Sequence, residues 1–134
     1  MGSIPATATM ELLKEKEIKG KTVYYGFSLG AYALMELASK INFDKIVLVS
    51  PSPLFSDTIE KIDNECVKKE NGDKSIREMC SLITCEVEIY VGEKEEELMK
   101  KTAYDIAERL NIDLQIINGL NHCDKLFKKV LKIE

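Results

Sequence analysis

Five consecutive residues, Gly26-Phe27-Ser28-Leu29-Gly30, have the spacing of a turn that exposes a reactive serine. In this GxSxG pattern, a sharp turn between a strand and a helix strains the backbone of the serine and exposes its hydroxyl. The two glycines remove Cβ atoms that would clash in so tight a turn. The N–H of Leu29 opens the helix, where partial positive charge can stabilise an oxyanion. The pattern therefore predicts a serine that attacks an acyl carbonyl.

His122 is the only histidine in the sequence, so a serine–histidine mechanism has to use it. It follows a predicted strand through the short loop 118–121 and directly precedes a predicted helix. In proteins that activate a serine at such a turn, the chain order is serine, acid, histidine. We interpret His122 as the general base. The alternative for His122 is a surface or core histidine without a catalytic role. The alternative for Ser28 is an ordinary turn between a strand and a helix.

Four glutamates, at 93 and 95–97, follow the predicted third strand. An acid at this strand end could orient the imidazole and stabilise its positive charge. We favour Glu95, then Glu93, then Glu96, with Asp57 after the second predicted strand as a further alternative. The competing interpretation is a solvated helix start, because glutamates are favourable near a helix N-terminus.

Short apolar runs alternate along the chain with longer helical patterns, which is typical of an α/β domain with a parallel sheet. We predict strands over 22–26, 45–50, 86–91 and 112–117, and helices over 7–17, 30–41, 95–110 and 123–131. Two further helices are predicted within 57–83, either as a cap over the site or packed on the sheet. The prediction is one domain over 1–134, in three layers, with a mainly parallel sheet of about four strands flanked by helices.

Composition excludes several classes of protein. The 134 residues suit one domain, and the 45% hydrophobic content is too high for a disordered chain. No run approaches the ~20 apolar residues of a transmembrane helix, and a net charge of −4 does not fit a nucleic-acid binder. The four cysteines form no CxxC pair and the sequence has a single histidine, so we expect no metal site. We recognise no signal peptide and expect a cytoplasmic protein with reduced thiols.

Several segments resemble the α/β-hydrolase family of serine esterases, thioesterases and lipases, and especially small carboxylesterases and dienelactone-hydrolase-like proteins. The resemblance covers the chain from about Lys21 to the C-terminus. Its parts are the serine turn and following helix GFSLGAYALMELA, the next strand and loop KIVLVSPSP, the acid loop VGEKEEE, and the approach to the histidine IINGLNH.

The resemblance implies a function and a role for each candidate residue. Ser28 would be the nucleophile and His122 the general base and acid, and Glu95 would replace the usual aspartate of the family. The implied reaction forms an acyl-enzyme from a small carboxylic ester or thioester and hydrolyses it with water, without a cofactor. Because glutamate is longer than aspartate, its side chain has to fold back to reach the imidazole.

The chain departs from the family before its first predicted strand, where about 20 residues are predicted as a helix. The family has several strands there, and one of their loops supplies a second oxyanion-hole amide. We therefore expect strand 22–26 to lie at an open sheet edge, where a second copy could pair as a homodimer, and one oxyanion donor to be missing. Three explanations of this short N-terminal region remain open. The chain is a piece of a longer protein, it dimerises through the edge strand, or it is a shortened hydrolase with weak or no activity. The alternative function is a non-catalytic module that binds a partner through the open edge.

Overall fold

The computed structural model describes residues 12–52 and 76–133. Within these residues the chain forms five strands and four helices. In chain order they are β1 (Leu13–Ile18), β2 (Lys21–Phe27), α1 (Leu29–Ala38), β3 (Lys45–Val49), α2 (Ile76–Leu82), β4 (Glu86–Gly92), α3 (Glu97–Leu110), β5 (Leu114–Ile117) and α4 (Asp124–Lys132).

The strands form one sheet in the order β1-β2-β3-β4-β5. β1 is antiparallel to β2, and each later pair is parallel. Helices separate the parallel strands along the chain, because a parallel pair needs a crossover connection. The predicted α/β class with a mainly parallel sheet is confirmed, with five strands among the described residues where about four were expected.

The N-terminal region contradicts the helix predicted over 7–17, since residues 13–18 form β1. Lys19 and Gly20 have φ values of 52° and 85°, and they connect Ile18 to its partner Lys21 in a two-residue hairpin loop. Such loops favour positive φ at both positions, which suits the twist of the flanking strands. The alternating lysines and glutamates of 14–17 are good helix formers, so pairing with β2 overrides local propensity. Residues 7–11 of the predicted helix lie outside the described residues.

β1 covers the side of β2 that was expected to be open. The six residues of β1 pair with Lys21 to Gly26 of β2, and Val23 and Tyr25 of β2 are both only 3% exposed. The expectation that β2 is an edge strand is therefore wrong, because an upstream strand that the sequence pattern did not reveal completes its hydrogen bonding. The β2 edge is therefore not free to pair with a second copy of the chain. It is equally not free to bind a partner, as the alternative function required.

The hydrophobic core lies on both faces of the sheet. Ile46 and Leu48 of β3 pack with α1, α2 and α3 on one face. Val47 and Val49 pack with α4 on the other face, since successive side chains of a strand point to opposite sides. The unbroken apolar run of β3 follows from this double burial.

Most remaining boundaries differ from the predictions by a few residues at element ends. The helix predicted over 30–41 ends at Ala38, and the helix predicted over 95–110 begins at Glu97. Of the predicted 57–83 cap, α2 is described, while 57–75 lies outside the described residues. None of the described helices is both long and apolar enough to cross a membrane.

Candidate functional site

Four chain segments converge at the carboxyl ends of the parallel strands. Ser28 follows β2, Ser50 follows β3, and Glu95 lies three residues beyond the end of β4. His122 lies in the loop after β5. Because parallel strands end at the same edge of a sheet, residues distant in sequence meet there, which is where α/β sheets commonly bind ligands.

Ser28 is the single residue between β2 and α1, and its backbone is strained. Its φ of 58° and ψ of −120° are unusual for a residue with a side chain. Its N–H donates to the Val49 carbonyl oxygen over 3.0 Å, and its own carbonyl accepts from the N–H of Ala31 over 3.0 Å. The predicted strand–turn–helix context is thus present, and hydrogen bonds to both sides of the turn hold the serine in place.

Gly26 and Gly30 lie where the backbone approaches itself too closely for a Cβ atom. A Cβ at Gly26 would lie 2.7 Å from the Gly30 oxygen and 2.8 Å from the Cα of Ala31. A Cβ at Gly30 would overlap the backbone and side chain of Leu12, the residue that precedes β1. Both glycines are therefore required by contact, and the second one links the turn to the N-terminal hairpin.

His122 bridges the serine and the acid. Its Nε2 is 3.0 Å from the Ser28 Oγ, and its Nδ1 is 2.8 Å from the Glu95 Oε1. Since an ionised carboxylate only accepts, this network assigns the proton of the neutral imidazole to Nδ1 and leaves Nε2 to accept from the Ser28 hydroxyl. The ring stacks on Phe27 at a centroid distance of 4.9 Å. The His122 side chain is 34% exposed, so a substrate can reach it.

The Glu95 side chain is fully buried and folds back toward its own strand. Its Oε2 accepts the N–H of Gly92 over 2.8 Å, while its Oε1 accepts from His122 and from the Ser50 hydroxyl. Burial alone would raise the pKa of Glu95, but the hydrogen bonds from His122, Ser50 and Gly92, with the charge of His122, lower the pKa below its ordinary value. The carboxylate is therefore ionised at neutral pH.

The other predicted site residues occupy different places. Glu93 is exposed and accepts the N–H of Gly119 over 2.8 Å, which joins the acid loop to the histidine loop. Glu96 is exposed at the start of α3, and Asp57 lies outside the described residues. Leu29 is the first residue of α1, where N–H groups have no partner within the helix. Of the candidate acids that the structure describes, Glu95 is the one in contact with His122.

Two residues at the site were missed by the sequence analysis. Ser50 was assigned to the end of a predicted strand, and Phe27 was considered only as a variable position of the serine turn. Their positions contain a weak signal, because each lies at the carboxyl end of a parallel strand. Serine and phenylalanine are common at such positions for other reasons, so residue type alone did not single them out.

A cavity of about 460 Å³ adjoins the imidazole. Besides Glu95 and His122, it is lined by Lys94, Glu96, Met99 and Asn121. Its walls offer both a methionine side chain and polar groups next to the exposed part of His122. Within the described residues, no three His, Cys, Asp or Glu side chains are grouped so that they could hold a metal ion.

Comparisons with known proteins found little similarity in sequence. No protein-family model matches the chain, and no curated protein matches it. Among solved structures, the chain matches a dipeptidyl peptidase 4 of Porphyromonas gingivalis with a TM-score of 0.49 and 17% sequence identity, over 73% of its own residues. It spans 16% of the length of that peptidase chain.

Proposed function

We propose that this chain is a serine hydrolase of the α/β-hydrolase type that cleaves a small carboxylic ester or thioester through an acyl-enzyme. The observation that carries the proposal is the continuous chain of hydrogen bonds from the Ser28 Oγ through His122 to Glu95. A nucleophile, a base within hydrogen-bond reach and a third group that orients the base are the parts that nucleophilic catalysis requires.

In the acylation step, the Ser28 Oγ attacks the carbonyl carbon of the ester while the His122 Nε2 accepts the hydroxyl proton. Glu95 stabilises the imidazolium and keeps Nδ1 protonated. The N–H of Leu29 donates to the oxyanion of the tetrahedral intermediate. The intermediate collapses when His122 returns the proton to the departing alkoxide or thiolate, which leaves the acyl group on Ser28.

In the deacylation step, a water molecule replaces the alcohol or thiol. The His122 Nε2 accepts a proton from the water as its oxygen attacks the acyl carbon, and then returns that proton to the Ser28 Oγ. The carboxylic acid departs and the starting enzyme is restored. Each proton that His122 takes is given back, so the cycle needs no metal or organic cofactor.

We test the proposal with a fluorophosphonate probe, which reacts with activated serines. The parent chain is expected to be labelled, while Ser28→Ala and His122→Ala are expected to lose labelling. Ser81→Ala, which changes an exposed serine of α2, serves as the matched control and is expected to keep the parent rate. A folded parent chain that stays unlabelled, or a Ser28→Ala variant labelled at the parent rate, would contradict the proposal.

The substrate class is tested by turnover of p-nitrophenyl acetate and of a short-chain acyl thioester. We expect Glu95→Gln to lower kcat on the order of 10⁴-fold, by analogy with loss of the acid from a serine triad. Glu93→Gln is the matched control, since Glu93 lies in the same loop and contacts Gly119 instead of His122. Equal losses for the two variants would exclude Glu95 as the acid.

A further inference from the structure

Ser50 is a completely buried polar residue in a strained backbone conformation. It is 0% exposed and has a φ of 49°, which side-chain-bearing residues seldom adopt. Its N–H donates to the carbonyl oxygen of Tyr90 over 2.7 Å, so the end of β3 is tied to β4 at this point. Glycine would adopt this backbone at lower cost, which makes the presence of a serine here informative.

The Ser50 hydroxyl contacts both the acid and the histidine of the site. It donates to the Glu95 Oε1, and its Oγ lies 3.0 Å from the His122 Nδ1. Because the hydroxyl proton goes to the carboxylate, the lone pairs of the Ser50 Oγ remain available to the N–H of Nδ1. That N–H is therefore flanked by two oxygens, one from Glu95 and one from Ser50.

We propose that Ser50 is a positioning residue that holds the Glu95 carboxylate and the His122 ring in the geometry that activates Ser28. The kinetic part of this inference rests on the proposed hydrolase function. Glutamate has one more rotatable bond than aspartate, so its carboxylate needs a restraint on each oxygen. The Gly92 N–H restrains Oε2, and the Ser50 hydroxyl restrains Oε1 alongside the His122 contact.

Two variants separate the role of the hydroxyl from the role of the backbone. Ser50→Ala and Ser50→Gly both remove the hydroxyl, but only glycine is unstrained at a positive φ. If the hydroxyl acts as proposed, the two variants have the same defect. If Ser50→Gly behaves like the parent, the residue matters only through its backbone and the proposal is overturned.

The first measurement does not depend on catalysis. His122 is the only histidine in the sequence, so the ¹⁵N NMR signals of its ring report on this site alone. With the imidazole neutral, we expect the Nδ1–H tautomer to dominate in the parent and to decline in both Ser50 variants. An unchanged tautomer ratio in variants with the circular dichroism spectrum of the parent would overturn the proposal.

The second measurement is a double-mutant cycle on p-nitrophenyl acetate hydrolysis. Loss of a hydrogen bond to a charged group should lower kcat about ten- to one-hundredfold in each Ser50 variant, with KM little changed. In a Glu95→Gln background, Ser50→Ala should have a smaller further effect, because the part of its role that acts through the Glu95 carboxylate is already lost. An equal loss in both backgrounds would overturn the proposal. An unreactive parent would refute the hydrolase function instead, and the NMR result would still decide the role of Ser50.

Discussion

Glu95 keeps a negative charge in a place that water does not reach. A buried carboxylate without partners would be costly, but three donors face this one: the His122 ring, the Ser50 hydroxyl and the Gly92 N–H. These donors come from three places in the sheet: His122 from the loop after β5, Ser50 from the end of β3, and Gly92 from the end of β4. The charge therefore depends on the surrounding elements and, in return, ties them together.

The lowered pKa of Glu95 makes stability depend on pH. Since the pKa in the folded chain lies below the ordinary value of 4.5, the unfolded chain takes up the proton first as the pH falls. The contribution of Glu95 to the free energy of unfolding is therefore complete above about pH 4.5 and is lost as the pH falls through the folded-state value. Urea unfolding between about pH 3 and pH 7 measures this dependence.

We expect stability to fall more steeply with decreasing pH in the parent than in Glu95→Gln. Glu96→Gln, which changes the exposed neighbour, should keep the steep dependence of the parent. Parallel curves for the parent and Glu95→Gln would show that the carboxylate does not titrate with an altered pKa.

At the scale of elements, β1 is a strand with opposite charges on its two faces. Lys14 and Lys16 lie opposite Tyr25 and Val23 and share their face of the sheet, and Lys16 donates to the Leu131 carbonyl oxygen there. Glu15 and Glu17 lie on the other face. If two copies paired antiparallel through their β1 edges, residues opposite each other would share a face, so lysine would meet lysine and glutamate would meet glutamate.

We therefore expect that the β1 edge does not pair two copies of the chain. Lys14→Glu should promote association in the register that places residue 14 of one copy opposite residue 16 of the other, because its glutamate would then face Lys16. Lys125→Glu makes the same charge change on exposed α4 and should have no such effect. Sedimentation velocity over a concentration series measures the difference, and a parent dimer that Lys14→Glu weakens would contradict the expectation.

At the scale of the whole molecule, the candidate site is a product of long-range contacts. Ser28 and His122 are 94 residues apart in sequence, and Ser50 and Glu95 are 45 residues apart. An aromatic stack connects the site to the last helix, since Phe127 of α4 packs on Phe27 at 5.3 Å and Phe27 packs on His122 at 4.9 Å. The geometry around Ser28 therefore requires the sheet and α4 together.

We expect fluorophosphonate labelling and far-ultraviolet circular dichroism to be lost at the same urea concentration, as in a two-state transition. Phe127→Ala should move both midpoints down together by removing a buried ring, at a cost of about 3–5 kcal/mol. Phe127→Leu, which keeps most of the apolar volume, should move both midpoints less. Loss of labelling well before loss of secondary structure would show that the site opens independently of the fold.

The sequence by itself determined the features that depend on local pattern. An unbroken apolar run marked β3 as a strand buried on both faces, and helical periodicity marked α3 and α4. The GxSxG spacing placed Ser28 in a strand–turn–helix segment, which the structure contains. The candidates Ser28, Glu95 and His122 all came from residue type and chain order. They lie close together because strand ends in a parallel sheet share one edge.

Only the tertiary structure decided what depends on partners distant in the chain. Residues 14–17 favour a helix locally, yet β1 forms because β2 offers a complete row of hydrogen-bonding groups. The glutamates at 93, 95 and 96 are nearly equivalent in local sequence, and only the fold shows that Glu95 reaches His122. The role of Ser50 was likewise shown only by the fold, since its hydroxyl contacts Glu95 and His122, which are distant from it in sequence.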